Sequence, residues 1–265
     1  MLKVNERPYE FQPGIHLEDL ARQIKPEADV FIVNGFPVSA SIEVKDGDQC
    51  WLIKRGEQIG HTEMEHLLYA RHTPGVQEKI KDRAIGIMGL GGLGSVVSIA
   101  LARIGVGSIL LADYDVVEPS NLNRQQFFVD QVGMKKTEAM RQNLARINPY
   151  VKVEIFDDEL TETNIPYVFQ QVDVLVECFD GARMKATALR TVLKELPGVG
   201  YVGASGLAGF DDNNLIVTRK IRPNVYVVGD GAAEAKPGQG LMAPRVGIAA
   251  HHQANQVLRI LLGLG

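Results

Sequence analysis

Residues 84–113 constrain this chain more than any other stretch. An apolar run, Ala84 to Met88, leads into Gly89-x-Gly91-x-x-Gly94, and a second apolar run, Ser108 to Ala112, ends in Asp113. Three glycines at that spacing permit a tight strand-to-helix turn and let the backbone come close to a bound group. The following helix presents free N–H groups and the positive end of its dipole. Asp113 stands where an acid meets ribose hydroxyls. Strand, turn, helix, strand and acid in that order point to a nucleotide site rather than to a glycine turn of purely structural use. On this pattern alone NAD is the favoured nucleotide, and the reaction is left open.

The segment after the second run adds chemistry. Asn121, Arg124 and Gln125 follow the strand end, the place where open parallel sheets bind ligands. Arg124 offers a two-pronged grip on phosphate oxygens that a nicotinamide site has less need of. Lys136, just after Gly133, falls at the start of the next helix, where a second cation reaches the same phosphates. As isolated residues both also read as solvated surface cations. The buried run Val172 to Cys178 ends at Phe179-Asp180. A strand-end aspartate there reads either as a Mg²⁺ ligand facing a triphosphate or as the cap of a helix starting near Ala182.

The rest of the chain divides at about residue 58. The first part predicts strands over 2–7 and 9–12 and a helix over 17–24 between Pro13-Gly14 and Pro26. Strands over 29–33 and 36–39 flank the turn Asn34-Gly35, and after Asp46-Gly47-Asp48 comes a last strand over 50–54. This is the plan of a small α+β β-grasp, the ubiquitin-like shape. Residues 59–82 read as connecting helices, with a capping box at Thr62–Glu65, Tyr69 and Arg71 on the first, and Pro74 opening the second. Residues 83–265 alternate strand and helix, which implies parallel βαβ units. Strands are expected near 84–88, 108–112, 151–155 and 172–177, and helices near 92–105, 135–147 and 183–195. After Gly198 an antiparallel pair over 215–220 and 224–228 precedes a final helix from Pro244.

Composition excludes several classes. A net charge of -4 with 45% hydrophobic and 23% charged residues describes an ordinary soluble protein with no footprint for nucleic acid or an anionic membrane. No apolar stretch reaches the roughly 18 residues of a membrane span. The start carries no signal-peptide pattern, so a cytoplasmic location is expected. Two cysteines, Cys50 and Cys178, make neither a disulfide framework nor a four-thiolate zinc site. The six histidines show no metal spacing.

From about Leu68 to Gly263 the sequence resembles the ThiF/MoeB adenylyltransferases, relatives of the ubiquitin-activating E1 enzymes. The resemblance rests on Gly89–Gly94, Asp113-Tyr114-Asp115, Asn121-Leu122-Asn123-Arg124-Gln125, Lys136, Arg146-Ile147-Asn148-Pro149, Cys178-Phe179-Asp180 and Gly240–Gly247. It implies a Rossmann-like E1-type ATP-binding α/β domain. The implied reaction is ATP-dependent adenylation of the C-terminal glycine of a small β-grasp sulfur carrier, in thiamine or related sulfur-transfer biosynthesis. By the same resemblance ATP lies against Gly89, Gly91, Gly92 and Gly94, with Asp113 on the ribose. Asp115, Asn121, Arg124, Gln125 and Lys136 complete the nucleotide site, and Asp180 holds Mg²⁺. Arg71 matches an arginine that enters the partner subunit's site, so a homodimer is implied. The implied partners are a ThiS-like carrier ending in Gly-Gly and a sulfur donor protein. Residues 1–58 resemble ThiS, the carrier itself, at Val33-Asn34-Gly35 and Asp46-Gly47-Asp48.

The departures matter as well. Many relatives hold zinc with two Cys-x-x-Cys pairs; this chain has none, and no structural zinc is expected. Many also carry a loop cysteine for sulfur transfer, but Gly206–Asn214 contains no sulfur. Cys178 reads as a small buried hydrophobe rather than as a nucleophile. The ThiS-like segment lacks a free Gly-Gly end, since Lys54-Arg55-Gly56 runs on into the connecting segment, and it reads as a retained pseudo-carrier. Competing readings are an NAD-dependent oxidoreductase, a non-catalytic scaffold that regulates a carrier partner, and an adenylating enzyme for another peptide C-terminus.

Overall fold

The computed structural model describes residues 1–5, 7–57, 72–73 and 75–265. The chain forms two compact units, Met1–Pro74 and Gly75–Gly265. The connecting helix expected from Thr62, with Tyr69 and Arg71, and the expected helix start at Pro74 lie outside the described residues.

In the first unit the expected first strand breaks early. β1 (Leu2–Val4) turns at Asn5, whose φ of +46° is the left-handed conformation that asparagine tolerates, and returns as β2 (Arg7–Tyr9). The second strand therefore ends at Tyr9 instead of running to Gln12. Asn5 fixes this hairpin to the far strand: its side chain donates to Leu52 O and accepts from Leu52 N–H. α1 (Leu17–Ile24) buries Leu17, Leu20 and Ala21. β3 (Val30–Val33) and β4 (Phe36–Pro37) pair across Asn34-Gly35, both at positive φ as a two-residue hairpin turn requires. β5 (Gln49–Ile53) lies between β1 and β3, giving the order β2-β1-β5-β3-β4 with β1 and β5 parallel. Leu2, Val4, Leu17, Leu20, Val33, Cys50 and Leu52 close the core under the helix. That is the β-grasp.

The second unit is a three-layer α/β domain. α2 (Val76–Ile80) precedes β6 (Ala84–Met88), α3 (Gly92–Arg103) and β7 (Ser108–Ala112). α4 (Lys136–Ile147), β8 (Lys152–Phe156), α5 (Ile165–Val168), β9 (Val174–Glu177) and α6 (Ala182–Glu195) follow. The chain ends in β10 (Gly200–Ala204), β11 (Val217–Arg222), β12 (Val225–Gly229) and α7 (Ala243–Leu261). The sheet order is β11-β12-β10-β9-β6-β7-β8, parallel throughout except for β11. The chain winds outward from β6 to β8, then crosses back to place β9 on the other side of β6. The topological switch therefore falls at the C-terminal ends of β6 and β9, where such sheets bind nucleotides.

Alternation along β6 assigns the faces. Ile85 and Ile87 pack with Val97 and Leu101 of α3, Met140 and Leu144 of α4 and Val257 of α7. Met88 faces the other layer, with Leu175, Phe169 and Val192. Gly86, on that second face, is small by necessity, since a Cβ there would fall 2.6 Å from both Phe169 and Leu175. β10 was not expected from the sequence because two of its five residues are glycines. One of them, Gly203, is packed so closely against Tyr201 and Glu177 that a Cβ would lie 3.0 and 3.2 Å from their side chains. A buried strand that gives up side chains to admit its neighbours carries little strand signal.

Candidate nucleotide site

The glycine turn is sterically specified. Gly89 sits at φ +90°, and a Cβ on Gly94 would fall 1.9 Å from Gly89 O. Gly91, by contrast, faces open space: the nearest heavy atom to a Cβ built there is Gln125 Nε2, at 4.0 Å. Gly91 is the N-cap of α3 and supplies no side-chain cap. The first-turn N–H groups are therefore left for a ligand.

The expected residues converge on this turn through a chain of contacts. Asp113 Oδ2 accepts from Leu90 N–H at 2.6 Å, and its Oδ1 accepts from Asp115 N–H at 2.9 Å. The acid that ends β7 thus clamps the turn that ends β6. Asp115 Oδ2 in turn meets Lys136 Nζ at 2.8 Å, and Asp115 O accepts from Lys136 N–H, at the first residue of α4. Lys136 is buried, as no sequence pattern indicated. Arg124 is half-buried, its aliphatic stem 3.5 Å from where a Gly92 Cβ would lie. Its guanidinium reaches only Asn123 Oδ1 and Ser120 O among the described residues. Asn121 is a turn-former here: its side-chain oxygen accepts from Glu118 N–H and its carbonyl from the N–H groups of Arg124 and Gln125. Gln125 is buried against Gly91 with Oε1 unpaired. A buried acceptor without a donor costs about 1–3 kcal/mol, which a ribose hydroxyl or base amine would relieve.

On the other side of the switch, Gly89 packs against the backbone of Cys178, whose O lies 3.1 Å from a built Cβ. Asp180 follows, exposed, with no hydrogen bond or ion pair to the described residues. It does not cap α6, whose N-cap is Gly181. No group of three or more His, Cys, Asp or Glu side chains able to hold a metal occurs among the described residues. One free carboxylate suits Mg²⁺, which is commonly held by one or two carboxylates together with substrate phosphates. Cys178 is buried, and burial pushes its thiol well above the ordinary range; its Sγ lies 3.9 Å from Gln253 Oε1. The structure places the glycines, Asp113, Asp115, Asn121, Arg124, Gln125, Lys136 and Asp180 beyond the C-terminal ends of β6, β7 and β9. Arg71 lies outside the described residues.

Sequence reasoning missed two buried charge pairs. Arg245, 3% exposed, meets Asp230 at 2.7 Å and donates to the carbonyls of Asp211 and Asp212. Glu177, 2% exposed, meets Lys185 at 2.8 Å. Burial raises the Glu177 pKa even against the pull of that lysine. Neither pair has a short-range signal, since the partners come from different elements.

The fold defines a Rossmann-like α/β domain in a chain that also carries a ubiquitin-like β-grasp, and comparisons with known proteins narrow the class. Residues 64–265 match the ThiF family and residues 1–56 match ThiS-like ubiquitin; the chain belongs to the ThiF family. It is 30% identical over 196 residues to molybdopterin-synthase adenylyltransferase of Escherichia coli, covering 71% of this chain and 77% of that protein. It is 50% identical over 84 residues to ubiquitin-like modifier-activating enzyme 5 of Arabidopsis thaliana, covering 32% of this chain and 20% of that one. The chain thus spans a third or less of the ubiquitin-like modifier-activating relatives it matches. Among solved structures, E. coli tRNA N6-threonylcarbamoyladenosine dehydratase in complex with ATP superposes with a TM-score of 0.69 at 23% identity. That match covers 77% of this chain and 97% of the other. No helix among the described residues is long and apolar enough to cross a membrane.

Proposed function

We propose that this protein binds ATP at the β6–β9 switch and adenylates the C-terminal glycine of a ThiS-like sulfur carrier, releasing pyrophosphate. The observation that carries the reading is the cationic lining of the glycine turn: Arg124 lies over Gly92, and Lys136 is buried beside the Asp113–Asp115 clamp. A dinucleotide site for hydride transfer has less use for that pair. The ATP and adenylyltransferase names among the relatives agree with it.

In this reading the carrier's terminal carboxylate attacks the α-phosphorus of ATP, and the bond to the pyrophosphate oxygen breaks. The carboxylate is already ionised at neutral pH, so no general base is needed. The protein's work is in-line positioning and stabilisation of charge on the phosphate oxygens. Arg124 and Lys136 supply cations, the α3 N-terminus supplies N–H donors, and Gln125 Oε1 accepts from the nucleoside. Mg²⁺, held by Asp180 and the phosphates, adds charge neutralisation when bound. Arg71 of a second copy completes the site in a homodimer, as the resemblance implies. The adenylate carbonyl is then attacked by a sulfur nucleophile from a donor protein, breaking the bond to the phosphate oxygen and releasing AMP, because Gly206–Asn214 brings no sulfur of its own.

The test is ATP–pyrophosphate exchange in the presence of carriers ending in Gly-Gly. Carrier-dependent exchange supports the reading. Absence of exchange with every carrier, together with NAD binding, overturns it.

A further inference from the structure

The last residue of β9 carries more contacts than a strand end needs. Glu177 Oε1 accepts both from Lys185 Nζ at 2.8 Å and from Phe179 N–H at 2.7 Å. Lys185, in the first turns of α6, also donates to Ala204 O at the end of β10 at 2.9 Å. From behind, Gln253 of α7 donates to Glu177 O at 2.9 Å and to Val202 O at 3.2 Å. With Ala204 N–H of β10 donating to Glu177 Oε2 at 3.4 Å, three elements, α6, β10 and α7, therefore converge on the carboxylate and carbonyl of one β9 residue. The short connector Cys178–Gly181 leaves from that point; at this end it is also held by the Cys178 N–H bond to Met88 O at 2.9 Å and by the close packing of Cys178 against Gly89.

The side chain that the connector delivers, Asp180, has no partner of its own among the described residues. Its placement is therefore set by the backbone on either side, which is fixed at Phe179 N–H by Glu177 and at α6 by Lys185. A buried ion pair is an expensive way to hold two elements together, since both groups lose water. Apolar residues would pack the same space at less cost, but they would not take up the Phe179 N–H.

We propose that Glu177 and Lys185 are positioning residues for metal binding: the pair fixes the Cys178–Gly181 connector so that Asp180 meets the cation of a bound nucleotide–metal complex. This rests on the reading of Asp180 given above. Neither residue touches nucleotide or metal. Groups hydrogen-bonded to a metal ligand change metal affinity by about 10–100-fold when lost; acting through the Phe179 backbone instead, this pair is expected at the lower end of that range.

The experiment measures Mn²⁺ affinity by electron paramagnetic resonance on the full chain saturated with a non-hydrolysable ATP analogue, and analogue affinity without metal by calorimetry. Lys185→Met and the charge-free double variant Glu177→Gln/Lys185→Met are expected to weaken Mn²⁺ binding about tenfold or more. Analogue affinity without metal is expected to stay within about twofold, and Lys185→Arg to restore Mn²⁺ binding. The double variant guards against unfolding caused by one uncompensated charge. Unchanged Mn²⁺ affinity in a folded variant overturns the inference, as does an equal loss of metal-free analogue affinity. If the wild-type protein with analogue bound holds no Mn²⁺, or if Asp180→Ala holds it as tightly, the reading of Asp180 itself fails and takes the inference with it.

Discussion

Lys136 Nζ lies 2.8 Å from Asp115 Oδ2, with the lysine side chain 7% exposed and the aspartate 49%. The ammonium is withdrawn from water while its partner is not. In the proposed ATP site an incoming phosphate would meet a cation already stripped of most of its hydration, carried by the first residue of α4 and oriented by Asp115. Much of the cost of desolvating it falls on folding rather than on binding.

Arg124→Ala and Lys136→Met are each expected to lower the exchange rate by about tenfold or more, the scale of one lost charge-assisted contact of ~1.5 kcal/mol. Arg124→Ala leaves stability nearly unchanged, because its bonds are to exposed local groups. Lys136→Met is read by exchange kinetics beside a thermal melt. Unaltered kinetics in either variant would remove that residue from the site.

Asp180→Ala should abolish exchange while shifting stability by no more than about 0.5 kcal/mol, as for an exposed residue without partners. Urea unfolding and exchange at saturating Mg²⁺ are the two measurements. Near-normal exchange would show that the carboxylate has no part in metal binding.

Cys178→Ala should keep exchange activity. The thiol is buried, raised well above its ordinary range, and packed with Val174, Val176 and Val246 in the core between sheet and helices. Complete loss of activity in a folded Cys178→Ala protein would contradict a packing role.

Acid should loosen the loops that Arg245 ties together. Burial by itself raises Asp230, but the N–H groups of Ala233 and Ala232 and the Arg245 guanidinium outweigh it and hold the carboxyl below its usual value. A carboxylate depressed in the folded state contributes stability above its unfolded pKa of 3.8, and that contribution is lost as pH falls through the lower folded value. Asp230→Asn should therefore lower the melting temperature at pH 7, with the gap from wild type closing below about pH 4. A gap that stays constant across that range would mean the charge is not what Asp230 contributes.

Deleting residues 1–58 tests the first unit. Its last segment is pinned to its own body: Lys54 pairs with Glu27, Arg55 with Asp29 and Lys25 with Glu57. We expect this β-grasp to help dock or gate a free carrier, with tethering raising its local concentration. Truncation then changes the apparent affinity for the carrier. A stable truncated protein with unaltered carrier affinity and turnover would make the domain a bystander.

Much of the fold was legible because its signals are local. Glycine spacing, apolar alternation and the Asn34-Gly35 turn each act within a few residues, and β6, β7, α1 and α6 fall where expected. The break at Asn5 was hidden because it depends on Leu52, far along the chain. β10 was hidden because Gly203 yields its side chain to Tyr201 and Glu177. In the site, the Gly94 position follows from steric need, whereas Asp113 is held by the Leu90 and Asp115 N–H groups its carboxylate accepts, a use that spacing does not show. The burial of Lys136, the turn-forming use of Asn121 and the Glu177–Lys185 and Asp230–Arg245 pairs depend on which elements meet, and spacing along the chain does not carry that information.

The switch in strand order also sets a schedule for synthesis. β6, β7 and β8 emerge from the ribosome well before β9, so the strand that ends in the glycine turn waits with one edge bare. Ala84-Ile85-Gly86-Ile87-Met88 is uncharged and apolar, a segment prone to pair with another chain while its own neighbour is missing. The ligand end of β6 closes only when β9 docks on it, with β10 and β12 still to follow, through contacts of long sequence separation that form slowly. Yield of active protein should thus be limited by what shields one nascent strand, and slowing synthesis or supplying chaperones should raise it more than stabilising the finished domain does.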